Sequence, residues 1–127
     1  MRYYLLVPLV VLLNGCAYIE ANSRMQRLDE LLWGYARAMT WSDLATAASA
    51  TRPAHTDAGA FQDIKITAYE PASLKLEDKG KTARRLVQIR YVHTTRMVEH
   101  KLTLEEQWKY SDDSKLWVLE SGFPQFR

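Results

Sequence analysis

The sequence predicts an α+β domain in which helices come first and a curved antiparallel sheet follows. Apolar residues recur at helical spacing over residues 23–40, and the period changes to two after Phe61. Two turn signals, Asp78-Lys79-Gly80-Lys81 and Ser111-Asp112-Asp113-Ser114, divide the second half of the chain into strands. Because strands joined by short turns pair antiparallel, we expect a meander of about four strands with the helices packed on one face.

The first predicted helix buries one apolar stripe, and Asn22 or Ser23 is its predicted N-cap. Five residues at spacings of three and four form the stripe: Met25, Leu28, Leu32, Tyr35 and Met39. A second, alanine-rich helix follows a cap at Ser42-Asp43 and runs to about residue 50. The dipeptide Arg52-Pro53 ends it, and residues 53–60 are predicted to form a loop.

Four strands are predicted after this loop, over residues 64–76, 82–94, 97–110 and 116–120. In the first strand the even residues Ile64, Ile66 and Ala68 share one face, and Pro71 introduces a kink or bulge. The later strands place Val87, Ile89 and Leu104 on the same inner face. Charged and polar residues occupy the opposite face, as solvent exposure requires.

Turn lengths then set the register of the two hairpins. A two-residue turn at Thr95-Arg96 pairs Arg85 with Glu106 and Tyr91 with His100 on the inner face. A four-residue loop at 111–114 places Trp108 opposite Trp117 on that face. Trp33, Trp41, Trp108 and Trp117 are expected to fill the core, with an aromatic ligand pocket as the alternative.

Composition excludes several classes of protein. The 127 residues are 47% hydrophobic and 25% charged with a formal net charge of +2, which is typical of one ordinary globular domain. No block of Lys or Arg provides the stripe that neutralises phosphates, so nucleic acid is not an expected partner. The single cysteine, Cys16, leaves no pair for a disulfide within the chain.

The N-terminus has the pattern of a secretory signal. Met1-Arg2 is followed by an uncharged apolar stretch over residues 3–13, and small residues then precede Cys16. This stretch is shorter than the roughly 20 residues that a membrane-spanning helix needs, and it contains Pro8. We therefore expect export of the protein, and we divide the chain into a signal at 1–15, a tether at 16–22 and one folded domain at 23–127.

The segment Leu13-Asn14-Gly15-Cys16 resembles the lipobox of bacterial lipoprotein precursors. The resemblance implies that lipid, including an amide-linked chain such as palmitate, is attached at Cys16 and that this residue begins the mature protein. Two or more acyl chains hold a protein stably on a bilayer. Ala17 rather than Asp after the cysteine implies the outer membrane, with the domain facing the periplasm, instead of the inner membrane. An ordinary signal peptide with a chance cysteine and an uncleaved anchor are the alternatives.

The order of elements resembles the cone-shaped α+β fold of ketosteroid isomerase, scytalone dehydratase and nuclear transport factor two. Four stretches carry the resemblance, and they also look like small proteobacterial lipoproteins of that superfamily: 32–48, 64–70, 106–110 and 116–124. The fold hosts enzymes, binding proteins and assembly modules, so it does not decide the function.

Four inner-face residues are the candidate ligand-binding or polar site: Arg85, Glu106, Tyr91 and His100. The Arg85–Glu106 pair is either a clamp for a carboxylate ligand or a structural ion pair at the rim of the sheet. Tyr91 and His100, with His93 nearby, are either a proton-transfer group or rim packing. No carboxylate is predicted beside His100 to orient it, so we assign no catalytic residue.

Metal and cofactor sites are not predicted. His55 and Asp57 do not combine with the distant His93 and His100 into a recognisable ligand spacing, and the chain has no glycine-rich phosphate loop. The expected function is that of a non-enzymatic outer-membrane lipoprotein whose domain binds an envelope protein or a small apolar ligand. The alternatives are a small periplasmic isomerase, hydratase or hydrolase that uses the cone cavity, and a structural accessory of an envelope complex.

Overall fold

The computed structural model describes the backbone of residues 7–51 and 61–126, with side chains from Tyr18 onward. It is an α+β fold in which a helix packs on a curved antiparallel half-barrel sheet. The elements are α1 (Val7–Thr40), α2 (Leu44–Ala48), β1 (Ile64–Pro71), β2 (Lys75–Glu77), β3 (Thr82–His93), β4 (Glu99–Ser111) and β5 (Leu116–Leu119). The strand order is β1-β3-β4-β5, and the short β2 also pairs with β3.

Helix α1 is longer than predicted, because it begins at Val7 rather than after a cap at Asn22 or Ser23. Pro8 is the second residue of the described helix. Nothing between this proline and Thr40 interrupts the helix, and Cys16 and the predicted tether are part of it. None of the helices in the described ranges combines the length and the apolar character that crossing a bilayer requires.

The corner between the helices differs from the predicted capping. Helix α2 is only five residues long, and its N-cap Asp43 makes no side-chain capping hydrogen bond. Ser42 has a left-handed backbone (φ 59°), and its Oγ accepts a hydrogen bond from the Ile66 N–H at 2.8 Å. The serine therefore joins the helical corner to β1 instead of capping α2.

A bulge in β1 corrects the predicted faces of that strand. The register with β3 shifts between Ile66 and Ala68, so Ile66 lies opposite Tyr91 but Tyr69 lies opposite Ile89. Because a bulge adds one residue to a strand, the odd positions face inward after it. Tyr69 thus points into the fold, whereas simple alternation assigned Ala68 to the inner face.

Both hairpin loops contain a residue with positive φ. The β3–β4 loop covers 94–98 rather than the two residues 95 and 96, and Met97 (φ 54°) donates its N–H to the His93 carbonyl. The longer loop does not change which residues face each other, so the predicted register is confirmed: Arg85 lies opposite Glu106 and Tyr91 opposite His100.

The predicted register of β4 with β5 was wrong by two residues. Its loop covers 112–115, one position later than predicted, and Lys115 has the positive φ of 58°. Trp108 therefore lies opposite Leu119, and Trp117 lies opposite Tyr110. A shift of two keeps the side chains on the same face, so both tryptophans still point inward.

The core lies between the inner face of the sheet and the predicted stripe of α1. Leu28, Leu32, Tyr35 and Met39 are buried there, as predicted. Trp108 and Trp117 are also buried, but the expectation of core packing was wrong for Trp33 and Trp41, which are 69% and 77% exposed. Phe123, in the segment after β5, is buried against Phe61 at a ring separation of 5.2 Å.

Replacing the inner tryptophans should destabilise the domain strongly. Trp117→Ala removes a nearly buried ring whose indole N–H donates to the Arg24 carbonyl at 3.0 Å. Truncation of a buried aromatic costs about 3–5 kcal/mol, so we expect the Tm to fall by roughly 10 °C or more. Thermal denaturation followed by circular dichroism measures this, with the exposed Trp33→Ala as control. Equal melting of both variants would contradict the assigned inner face.

Candidate functional site

Glu106 is the centre of a buried hydrogen-bond network on the inner face. Its side chain is 0% exposed, and that of Arg85 is 9% exposed. Oε1 accepts hydrogen bonds from Arg85 Nε at 2.8 Å and from Trp108 Nε1 at 3.1 Å. Oε2 accepts one from the Tyr69 hydroxyl at 2.5 Å. Both carboxylate oxygens therefore have donors within the protein.

Tyr69 closes the network between the charged groups. While its hydroxyl donates to Glu106, the same oxygen accepts a hydrogen bond from Arg85 Nη2 at 3.0 Å. The β1 bulge is what turns this tyrosine inward. Sequence reasoning missed Tyr69, since alternation placed it on the outer face; the only signal was Pro71, which suggested an irregularity a little later in the strand.

Tyr35 of α1 covers the network from the helical side. Its ring makes edge contacts with Trp108 at 5.1 Å and with Tyr69 at 6.0 Å. Burial, and next the negative charge of Glu106, raise the pKa of the Tyr35 and Tyr69 hydroxyls far above the ordinary tyrosine value. Both hydroxyls are therefore protonated at neutral pH. Within the described residues the Tyr35 hydroxyl is buried and has no hydrogen-bond partner.

The Arg85–Glu106 pair therefore lies in the core. The expectation of an ion pair at the rim of the sheet was wrong about its position. An isolated charge is costly to bury, and Arg85, Tyr69 and Trp108 together compensate the carboxylate of Glu106. A ligand would have to displace one of these donors to reach it. The arrangement links β1, β3 and β4 through side chains, and it leaves neither carboxylate oxygen of Glu106 free.

Tyr91 and His100 form a second, separate cluster farther along β3 and β4. Their rings stack at 5.3 Å with an interplanar angle of 23°, and His93 and Phe126 contact them edge-on. Tyr91 lies six residues from Arg85 on the same strand, which is about 20 Å. The four candidate residues therefore do not converge on one point, and His100 is exposed.

The C-terminal segment 121–126 packs beside this second cluster. A pocket of about 390 Å³ separates the segment from β4, and Leu102, Leu104, Phe123 and Pro124 line it. No group of three or more metal-binding side chains occurs in the ranges that the structure describes. His55 and Asp57 lie outside the described residues.

A second hollow, the helical groove, lies between α1, α2 and β5. Its volume is about 420 Å³, and small or apolar residues line it: Leu31, Gly34, Ala38, Ala47, Ala50 and Leu116. Apart from the adjoining backbone of α1 itself, no atom of the described residues lies within 4 Å of the position that a Cβ on Gly34 would occupy. The groove is open because its walls carry small side chains, and sequence reasoning missed it because alanines on a helix also indicate ordinary packing.

Exposed aromatic side chains extend the helical groove along α1. A smaller hollow of about 290 Å³, lined in part by Arg37 and Trp41, shares Gly34 and Ala38 with it. The Arg37 guanidinium lies 5.7 Å from the centre of the Trp33 ring. Leu116, 61% exposed, borders the other side. Together these residues form a largely apolar surface that also carries Arg37 and the carboxylates of Glu30 and Asp43.

Comparison with known proteins assigns this chain to no family. No family model, curated protein or solved structure matches it. The function is therefore inferred from the geometry of the two inner clusters and of the helical groove.

Two tyrosine variants separate the roles within the Glu106 network. Tyr69→Phe should destabilise the domain by about 1.5–3 kcal/mol, because it removes a hydrogen bond to a charged group. Tyr35→Phe should be neutral or stabilising by about 1 kcal/mol, because it removes a buried hydroxyl that has no described partner. Urea denaturation measures both. The network is wrongly assigned if Tyr35→Phe proves the more damaging change.

Proposed function

We propose that this protein is a lipid-anchored bacterial lipoprotein of the outer membrane, whose periplasm-facing domain binds another envelope protein through the helical groove and has no enzymatic activity. One contrast carries the proposal. The charged pair of the inner face is sealed by its own hydrogen-bond partners, whereas an apolar surface bordered by exposed tryptophans is open to solvent. Open apolar surface favours binding rather than proton transfer.

A catalytic use of the inner face would require access to Glu106. A general acid or base must come within hydrogen-bond distance of its substrate. The Glu106 side chain is fully buried, and both of its oxygens accept hydrogen bonds from the protein. The isomerase, hydratase or hydrolase alternative therefore lacks a reachable acid at this pair, and the polar inner group is better explained as structural support.

The chemistry of the helical groove fits a protein partner. Trp and Arg are enriched at the energetic centres of protein interfaces, and Trp33, Arg37 and Trp41 are found together here. The neighbouring hollow at Gly34 can accept an apolar side chain from the partner. A small apolar ligand is the competing occupant, since a volume of about 420 Å³ also suits one.

The anchor and the groove are compatible in position. Cys16 and Trp33 lie on the same helix. At 1.5 Å of rise per residue, the separation of 17 positions between them corresponds to about 26 Å. If Cys16 is acylated, α1 holds the groove at up to this distance from the bilayer surface, where a periplasmic protein or domain can reach it.

Replacement of Cys16 tests the anchor. Cys16→Ser removes the thiol that would accept lipid, so we expect loss of radiolabelled palmitate incorporation and either release of the protein or accumulation of its uncleaved precursor. Ala17→Ser, which changes only the neighbouring position, should keep the label. Membrane fractionation and mass spectrometry of the native protein measure the outcome. An unmodified thiol at Cys16, or a fully soluble native protein, would refute the anchor.

Filling the helical groove tests the binding surface. A photoreactive residue at position 116 should yield one discrete protein adduct in intact cells. Gly34→Leu should abolish this adduct by occupying the groove, and Trp41→Ala should reduce it about tenfold, as expected for an interface residue that contributes more than 1 kcal/mol.

Gly34→Ala is the matched control, because it leaves most of the groove open and should stabilise α1 by about 0.5–1 kcal/mol. The Cβ space at Gly34 is empty, so both glycine variants are expected to fold. If Gly34→Leu leaves the adduct unaffected, the partner binds at another surface and the proposal fails. If the label is recovered only on a small molecule, the occupant of the groove is an apolar ligand and not a protein.

A further inference from the structure

Strand β4 has one half-covered edge. It runs over 13 residues, but β5 pairs only with positions 108–111. Just before that stretch, the N–H and C=O of Gln107 bond to Ser121 and Glu120. From Glu99 to Glu105, the structure shows a strand edge without a neighbouring strand among the described residues.

The direction of the backbone groups on this edge follows from their neighbours. The backbone N–H and C=O groups of the even-numbered residues of β4 are directed toward β3, as shown by Tyr110, whose N–H donates to the Lys81 carbonyl. The backbone groups of the odd-numbered residues are directed away from β3, as shown by those of Gln107. The backbone N–H and C=O groups of Lys101, Thr103 and Glu105 therefore face the open edge.

We propose that this edge pairs with the same edge of a second copy of the chain, antiparallel and with its twofold axis at Thr103. In that register Thr103 lies opposite its own copy, and Lys101 of each chain lies opposite Glu105 of the other. About six backbone hydrogen bonds would form, since each such pair exchanges two. Pairing ends at these residues because the edge groups of Gln107 are already bonded.

Charge complementarity selects a second copy as the occupant. Lys101 lies opposite Arg90 of β3, and no salt bridge involves it among the described residues. The Glu105 side chain bonds to Arg84 at 3.2 Å but remains 51% exposed. In the twofold register, Lys101 of each chain gains Glu105 of the other chain as its partner, so the dimer contains two such pairs.

Apolar contact on the inner face agrees with the same register. Leu102 of one chain lies opposite Leu104 of the other, and both side chains are half-buried in the single chain. They line the pocket of about 390 Å³ between β4 and the C-terminal segment. Pairing the edges would cover leucines that the single chain leaves partly in water.

Disulfide trapping at the twofold axis tests the proposal independently of the partner proposed for the helical groove. In a full-length Cys16→Ser background, which removes the native cysteine, Thr103→Cys should form a disulfide-linked dimer on oxidation in detergent micelles. Lys109→Cys is the matched control: it is also exposed and on an odd position of β4, but β5 covers its edge. It should stay monomeric.

Charge reversal tests the register through changes in the yield of the same disulfide-linked dimer. With Thr103→Cys present, Lys101→Glu and Glu105→Lys should each lower the dimer yield about tenfold, because each sets like charges opposite each other twice. The double reversal should restore the yield. Trapping no better at 103 than at 109, or a double reversal that fails to restore the dimer, would overturn the proposal.

Discussion

The fold depends on the compensation of one buried carboxylate, that of Glu106. A charge without solvent contact must be bonded on every side, and each donor comes from a different local feature of the chain. Arg85 lies opposite Glu106 because of the β3–β4 register. Trp108 is two residues after Glu106 on β4, and the bulge in β1 turns Tyr69 toward the carboxylate. The network therefore links side chains of β1, β3 and β4 at one point of the inner face.

This constraint also determines where binding can occur. On the inner face of the half-barrel sheet, the Arg85–Glu106 pair and its aromatic cover leave neither oxygen of this carboxylate free for a substrate. The C-terminal segment packs at the other end of the inner face, where Phe126 contacts Tyr91 and Phe123 contacts Phe61. Recognition is then best supported on the outside, at the helical groove, where small residues leave space and tryptophans are exposed.

The register of β3 and β4 was predictable because the period-two patterns of both strands and the position of the loop determine which residues face each other. The loop is longer than the predicted two residues, but Arg85 still lies opposite Glu106. The β4–β5 pairing failed because Asp112, Asp113 and Ser114 suit several loop positions, and the positive φ of Lys115 cannot be read from a residue type that rarely adopts it.

The site itself was only half predictable. Opposite charges on facing strands indicated Arg85 and Glu106, but a bulge that adds one residue reverses the faces after it, which concealed Tyr69. The opposite error occurred on α1, since Trp33 and Trp41 look like core residues by type and yet lie on the exposed face. Residue type alone does not distinguish a tryptophan of the core from one of an interface.

The central claim is that the inner charges hold the fold while the helical groove binds. It is tested most directly by Glu106→Gln, which keeps the shape of the side chain and removes its charge. The account predicts a loss of about 3–5 kcal/mol in the free energy of unfolding, because Arg85 is left buried without its counterion. Below the melting temperature, crosslinking from position 116 should be unchanged. Unchanged stability together with lost turnover of a substrate would contradict the account and make Glu106 a catalytic residue.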